Sequence, residues 1–280
     1  MKDEMIFQRL KSDYDYCVSR GYEVIGVFLF GSQNYKVSTE TSDIDVKAMV
    51  LPSLDNIVFG KTEISERVKR DNGELVIYDI DSIHKSIVKQ ATNFVEILFT
   101  KYKIMNPEYV HLYAPMFDSR EAIADLNRFK VLHCTLSMAQ NKYKMLFHAS
   151  PSNQDRIELK GYDYKAFAEI LRLYDFLAAR YYGKRKYEDS LISKNVEKLI
   201  LIKQGNSEFN IDAVKDLADK VIWRMQTLVD RYSKNVGEVI DDKSINLIHE
   251  VTKNTILRYI KTEVDRYDGA DSTDWPAWCR

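Results

Sequence analysis

At 280 residues and 32.7 kDa the chain is too long for one small module, and it can bury a core without disulfide or metal staples. Ten Gly, five Pro and 12% aromatic residues exclude collagen-like, linker-rich and disordered chains, because disordered segments avoid aromatics. Forty-one Lys and Arg against 42 Asp and Glu leave a net charge of −1, which excludes a globally basic nucleic-acid binder and confines any such contact to a local patch.

Helical spacing runs through Met5, Ile6, Leu10, Tyr14, Cys17 and Val18 and predicts a helix over 3–20 that stops at Gly21. Tyr22 to Phe30 is an apolar run rich in Val, Ile and Phe, the pattern of a strand buried on both faces. Gly31-Ser32 breaks it, and residues 33–42 are polar and turn-forming. Asp43 to Leu51 reads as a second strand stopped by Pro52, and Glu74 to Ile80 as a third after the turn Asp71-Asn72-Gly73. Helical spacing resumes over 82–100. Beyond Asp118 Gly and Pro thin out, and long helices are expected over 123–146, 163–182, 190–203, 211–235 and 244–266. Residues 148–160 read as the clearest loop. The aromatics of Trp275-Pro276-Ala277-Trp278 are expected to dock on the body.

Three widely spaced cysteines, Cys17, Cys134 and Cys279, offer neither a disulfide framework nor metal spacing and suit a reducing cytoplasm. The charged N-terminus lacks an apolar signal region, and no run approaches the length of a membrane span. The five histidines show no ligand spacing, and no Walker-type loop or dinucleotide fingerprint occurs. Lys184-Arg185-Lys186, after Tyr181-Tyr182-Gly183, reads as a solvated helix terminus, with contact to phosphates beside the aromatics as the alternative.

One constellation carries chemistry. An apolar strand ends in Gly31-Ser32, a polar spacer follows, and Ser42-Asp43-Ile44-Asp45 opens the next strand. Residues i and i+2 of a strand share a face, so Asp43 and Asp45 are expected side by side with Ile44 in the core. Two adjacent carboxylates repel unless a cation neutralises them. Hard oxygen ligands suit Mg²⁺ shared with substrate phosphates, and two ions would clamp the attacking and leaving oxygens of an in-line displacement. Gly31 lets the backbone approach a phosphate, and Ser32 can donate to it. Glu74, opening the third strand, is expected as the third carboxylate, with Asp79 and Asp81 as competitors. On a helix, Lys165 and Arg172 stand two turns apart on one face and, with Lys160 before them, offer cations to a polyphosphate.

These residues resemble the nucleotidyltransferase signature of the DNA polymerase beta superfamily, in particular its bacterial and phage branch of predicted nucleotidyltransferases. Gly31, Ser32, Tyr35, Ser42, Asp43, Asp45 and Lys47 match that pattern, whereas Lys36 stands where the branch usually has Gly. The strand beginning at Glu74 resembles the family's third strand. Thr92 to Leu98 is similar to a family helix carrying Asn and Glu. Lys160-Gly161-Tyr162 through Leu171-Arg172-Leu173 is similar to a second family motif, without the His that follows its Lys.

The resemblance implies an α+β fold. A polymerase-beta-like catalytic domain with a short mixed sheet (residues 1–115) would be followed by an all-α domain (116–280). It also implies transfer of a nucleoside monophosphate from an NTP to an acceptor hydroxyl, an EC 2.7.7-class reaction releasing pyrophosphate. Asp43, Asp45 and Glu74 would hold two Mg²⁺ ions, with Mn²⁺ as a substitute. Gly31, Ser32, Tyr35, Lys47, Lys160, Lys165 and Arg172 would bind nucleotide. An RNA 3′ end, tRNA in particular, is the favoured acceptor, and a protein hydroxyl, as in AMPylation, is the alternative. A silent fold that grips a host protein, as a phage factor would, and an aminoglycoside-type small-molecule modifier are the competing classes.

Overall fold

Val, Ile and Phe crowd Glu23–Phe30, and this stretch forms β1 with every position between its ends buried. The computed structural model describes residues 2–269, so the Trp275–Trp278 run and Cys279 lie outside the described residues. β2 (Asp45–Leu51) pairs antiparallel with β1, Phe30 opposite Asp45. β3 (Ser65–Arg70) and β4 (Gly73–Asp79) form a hairpin, and β4 runs parallel to β2 with Val46 opposite Leu75. β5 (Lys103–Met105) lies against the other side of β1. The result is a five-stranded mixed sheet in the order β3-β4-β2-β1-β5.

The three expected strands form, with their ends moved by one or two residues. β3 and β5 were not expected. β3 reads SERVKR and has no buried position; charged side chains suit a sheet edge and hide it from an apolar-periodicity reading. β5 is only three residues long.

Alternation along β2 gives the sheet two cores. Val46, Ala48 and Val50 face α1 (Lys2–Ser19), whose Ile6, Leu10 and Cys17 pack on that side. Buried Asp13 of α1 takes Arg9 at 2.7 Å and Arg70 of β3 at 2.7 Å, and Arg9 donates to the Asn72 carbonyl at 2.8 Å, fastening helix to hairpin. Met49 and Leu51 face the helices of the other core, with Ile25 and Phe28 of β1 beside them.

Those helices begin with α2 (Leu54–Val58) and α3 (Ile80–Val88), the latter capped by the Asp79 carboxylate. The helix expected over 82–100 stops at Gln90, whose φ of 57° turns the chain left-handed, and restarts as α4 (Thr92–Val95) and a 3₁₀ turn Glu96–Leu98. α5 (Pro107–Asp118) and α6 (Arg120–Ala124) follow. The helix expected over 123–146 is interrupted at 125–127: Asp125 accepts Arg180 at 2.8 Å, and Asn127 caps α7 (Arg128–Met145). The expected loop over 148–160 contains α8 (Gln154–Lys160). α9 (Tyr164–Tyr182) starts at an Asp163 cap and ends at left-handed Gly183. α10 (Tyr187–Ser190), α11 (Val196–Lys203), α12 (Ile211–Asn235) and α13 (Asp242–Gly269) complete the described chain. The expected division after residue 115 falls inside α5, and one hydrophobic cluster runs from Ile25 of β1 through Phe167 of α9 to Tyr259 of α13.

Candidate active site

β1 ends at Phe30 and is followed by Gly31, whose φ of 88° is open to glycine and costly for other residues. The chain then turns through Ser32–Lys36, closed by the Asn34 amide on the Gly31 carbonyl at 3.0 Å and the Val37 amide on the Ser32 carbonyl at 3.2 Å. Lys36 has a φ of 58°, so this chain keeps the left-handed bend without the glycine that would relieve it.

β2 begins at Asp45. Asp43 stands exposed just before it, and Ile44 is buried on the α1 side as its place in the pattern requires. The Asp45 carboxylate is lodged between two glycines. A Cβ on Gly31 would lie 3.8 Å from its Oδ2, and one on Gly73 would lie 2.8 Å from its Oδ1. Oδ1 also accepts the Glu74 amide at 3.2 Å. Burial raises the Asp45 carboxyl above its ordinary pKa; the Glu74 amide opposes this, and the charges of Asp43 and Glu74 add to it. Glu74 is beside Asp45 in the sheet, as expected, but both its oxygens are taken by Arg67 Nη1 of β3, at 2.7 and 2.6 Å. Asp79 and Asp81 belong to the far end of β4: Asp79 caps α3 and Asp81 pairs with Lys85 at 2.5 Å.

Gly31 also lines a cleft of about 120 Å³, together with Ser32 and Tyr35 of the turn, Lys165, Glu169 and Arg172 of α9, and Lys203 of α11. Ligand sites for whole small molecules run to roughly 300–1,000 Å³, so this volume suits phosphates rather than a nucleoside. Lys165 is exposed at its mouth. Lys203 donates to the Val37 carbonyl at 3.2 Å and to Ser42 Oγ at 3.5 Å, reaching from α11 to the loop that carries Asp43. Burial lowers its pKa, and Glu169 opposes that shift.

Arg172 plays another part. Its guanidinium is 3.8 Å from the Tyr35 ring centroid, and its Nε and Nη2 donate to the two Glu169 oxygens at 2.9 and 2.6 Å. Glu169 therefore serves Arg172 rather than Lys165. This neutralised, buried arginine buttresses Tyr35 and with it the turn.

Two further expected residues do not line the cleft. Lys160 is exposed in the last turn of α8. Lys47 is buried, its Nζ 3.2 Å from the Phe30 ring centroid, and burial pushes its pKa down to about 8. The charge of Glu96, buried below the turn, opposes that shift, and Glu96 accepts the Gly31 amide at 3.4 Å. Burial pushes the Glu96 carboxyl up to about 7, against the charges of Lys47 and Arg172.

Sequence reasoning missed Lys203, whose one signal is a cation at a helix end. It placed Glu96 only inside a matching segment. Arg67 carried no signal, because its strand was invisible. Among the described residues no three His, Cys, Asp or Glu side chains converge as a metal-ligand set. Cys17 and Cys134 are free thiols. No described helix is long and apolar enough to cross a membrane.

No family model and no curated protein matches the chain. Among solved structures, a nucleotidyltransferase-like protein from Exiguobacterium sibiricum 255-15 is similar over 81% of this chain and 75% of its own, at 9% identity and a TM-score of 0.30. A likeness at that score carries no conclusion about this chain, and its site is read from its own geometry.

Proposed function

We propose that the protein transfers a nucleoside monophosphate from an NTP to an acceptor hydroxyl. The observation that carries this reading is a phosphate-sized cleft with two lysines whose Gly31 also borders the Asp45 carboxylate. The Gly31-Ser32 turn, Lys165 and Lys203 would hold the β- and γ-phosphates, with Tyr35 kept in place by Arg172. The α-phosphorus would then sit toward Asp43 and Asp45. The acceptor oxygen forms a bond to it, the bond to the β-phosphate oxygen breaks, pyrophosphate leaves with the electron pair, and the acceptor proton passes to a carboxylate or to water. Holding the reacting groups in line and neutralising phosphate charge are the protein's main contributions.

The donor set fits a hard divalent cation: two carboxylates close enough to repel, one of them half-buried, with phosphates to complete the shell. Mg²⁺, or Mn²⁺ in its place, would be held by Asp43 and Asp45 and would supply neutralisation of the developing negative charge. Glu74 would join as a third carboxylate on release from Arg67. The acceptor is an RNA 3′ end in the first reading and a protein hydroxyl in the second.

Incubation with α-³²P-labelled NTPs, Mg²⁺, and either total RNA or lysate protein tests this. Label is expected in RNA, and Asp45→Asn or Lys203→Ala should lower it at least a hundredfold. Label in a protein band would move the acceptor to protein. No transfer by the wild type, or biological effect undiminished in Asp43→Ala and Asp45→Ala proteins, would replace the transferase by a silent binder.

A further inference from the structure

Helix α9 carries more than the cleft. The cleft residues Lys165, Ala168 and Arg172 continue at the same three- and four-residue steps into Asp175, Ala179 and Tyr182, one stripe along one helix face. The second half of that stripe floors another cavity, of about 350 Å³, whose rim is Lys184, Arg185 and Lys194. Ala168 and Ala179, in the middle of each half of the stripe, are eleven residues apart, which sets the centres of the two cavities about 16 Å apart along the helix, with their facing ends at Arg172 and Asp175. α11 runs beside α9 and spans the same interval, with Lys203 at the cleft and Lys194 just ahead of its first turn.

The outer cavity is charged and left so. Among the described residues no carboxylate pairs with Lys184, Arg185 or Lys194. Asp175 sets one negative charge against these three cations; it accepts Ser193 Oγ and, at 3.5 Å, Asn195 Nδ2, which fixes the turn bearing Lys194 against α9. The Arg185 guanidinium is held by the backbone carbonyls of Asp189 and, at 3.3 Å, Ile192, so its orientation is set without neutralising it. Buried Arg180 braces the same turn, donating to the Arg185 carbonyl at 3.0 Å and to Asp125 at 2.8 Å. Attraction to the negative end of α9 accounts for Arg180, a cation in the last turn. No carboxylate among the described residues accounts for Lys184 and Arg185 beyond the Gly183 cap, or for Lys194 ahead of α11. Tyr182 is 62% exposed, and Tyr181 packs edge-on against it at 5.1 Å. Cations beside an exposed, braced aromatic ring are what a single-stranded nucleic acid engages, with phosphates on the cations and a base on the ring.

We propose that Lys184, Arg185, Lys194 and Tyr182 form a docking subsite for single-stranded RNA, gripping the acceptor strand upstream of the 3′ end that is presented to the α-phosphorus at Asp43 and Asp45. This rests on the transferase reading and decides its acceptor. The near-neutral net charge is consistent with a contact concentrated in one patch.

The test is fluorescence anisotropy of the full chain with a fluorescein-labelled oligouridylate over a series of salt concentrations, with binding of each of the four Mg-NTPs by the wild type measured in parallel. Lys184 and Lys194 are exposed, so Lys184→Gln/Lys194→Gln should fold and melt as the wild type does. The double variant is expected to bind at least tenfold more weakly, and its log–log salt slope should shrink by about 1.4, two contacts at ~0.7 each. Tyr182→Ala should weaken binding about tenfold and leave the slope unchanged. Wild-type affinity and slope in the double variant, or no RNA binding by the wild type, would overturn the subsite. Mg-NTP binding that persists through either result would leave the transferase reading standing, whereas a wild type that binds none of the four Mg-NTPs would remove that reading whatever the RNA does.

Discussion

Gly73 and Lys36 show how single backbone positions set the site. A side chain at Gly73 would meet the Ile44 carbonyl oxygen at 2.6 Å and Asp45 Oδ1 at 2.8 Å, and the residue sits at a φ of 99°. Gly73→Ala should therefore cost about 2–4 kcal/mol in urea unfolding and displace the Asp45 carboxylate, so that nucleotide binding falls with stability. Lys36 bears its left-handed φ with a full side chain. Lys36→Gly should be neutral or stabilising by up to about 1 kcal/mol, while Lys36→Val should destabilise by about 1–2 kcal/mol. Equal stability of the Gly and Val variants would show that the bend is not kept in solution.

Helix α3 is tied to α5 and α13 through one imidazole. His84 is buried; its Nδ1 lies 2.6 Å from Thr252 Oγ1 and its Nε2 3.3 Å from the Tyr113 hydroxyl. Burial pushes its pKa down to about 4 from 6.5. The folded chain therefore binds fewer protons there than the unfolded chain. The contribution to stability is present above pH 6.5 and is lost as pH falls toward 4. At pH 4.5 the loss should be about 2–3 kcal/mol relative to pH 7.5, and His84→Gln should remove that increment from the pH profile of urea unfolding. A profile identical in wild type and variant would show that His84 does not titrate with folding.

At the level of the molecule, sheet and helices share one core. Ile25, Phe28, Met49 and Leu51 of the strands belong to the same buried cluster as Leu132 of α7, Phe167 of α9 and Met225 of α12. A chain cut after Pro115 would end within α5 and expose that sheet face. Such a fragment should bind a hydrophobic dye and unfold without a cooperative transition, whereas the full chain should lose its sheet and helix signals together. Cooperative unfolding of the fragment would establish the first 115 residues as an independent domain.

The sequence by itself determined the buried strands, the glycine-serine turn, the acid pair that follows it and the amphipathic helices, because each is written in a local period or a local turn residue. It located α12 over 211–235 and α9 within one residue. It could not show β3, whose SERVKR sequence has charges where an apolar alternation would stand, nor the break at Gln90, whose side chain donates to the Ile123 carbonyl from 33 positions away. Only the tertiary structure decided which charges are free. It gave Glu74 to Arg67 and Arg172 to Glu169, sank Lys47 beneath Phe30, brought Lys203 to Ser42, and left Lys184 and Lys194 without carboxylates among the described residues. Charge pairing depends on distance through space and on exclusion of water, and neither is a property of neighbours in the chain.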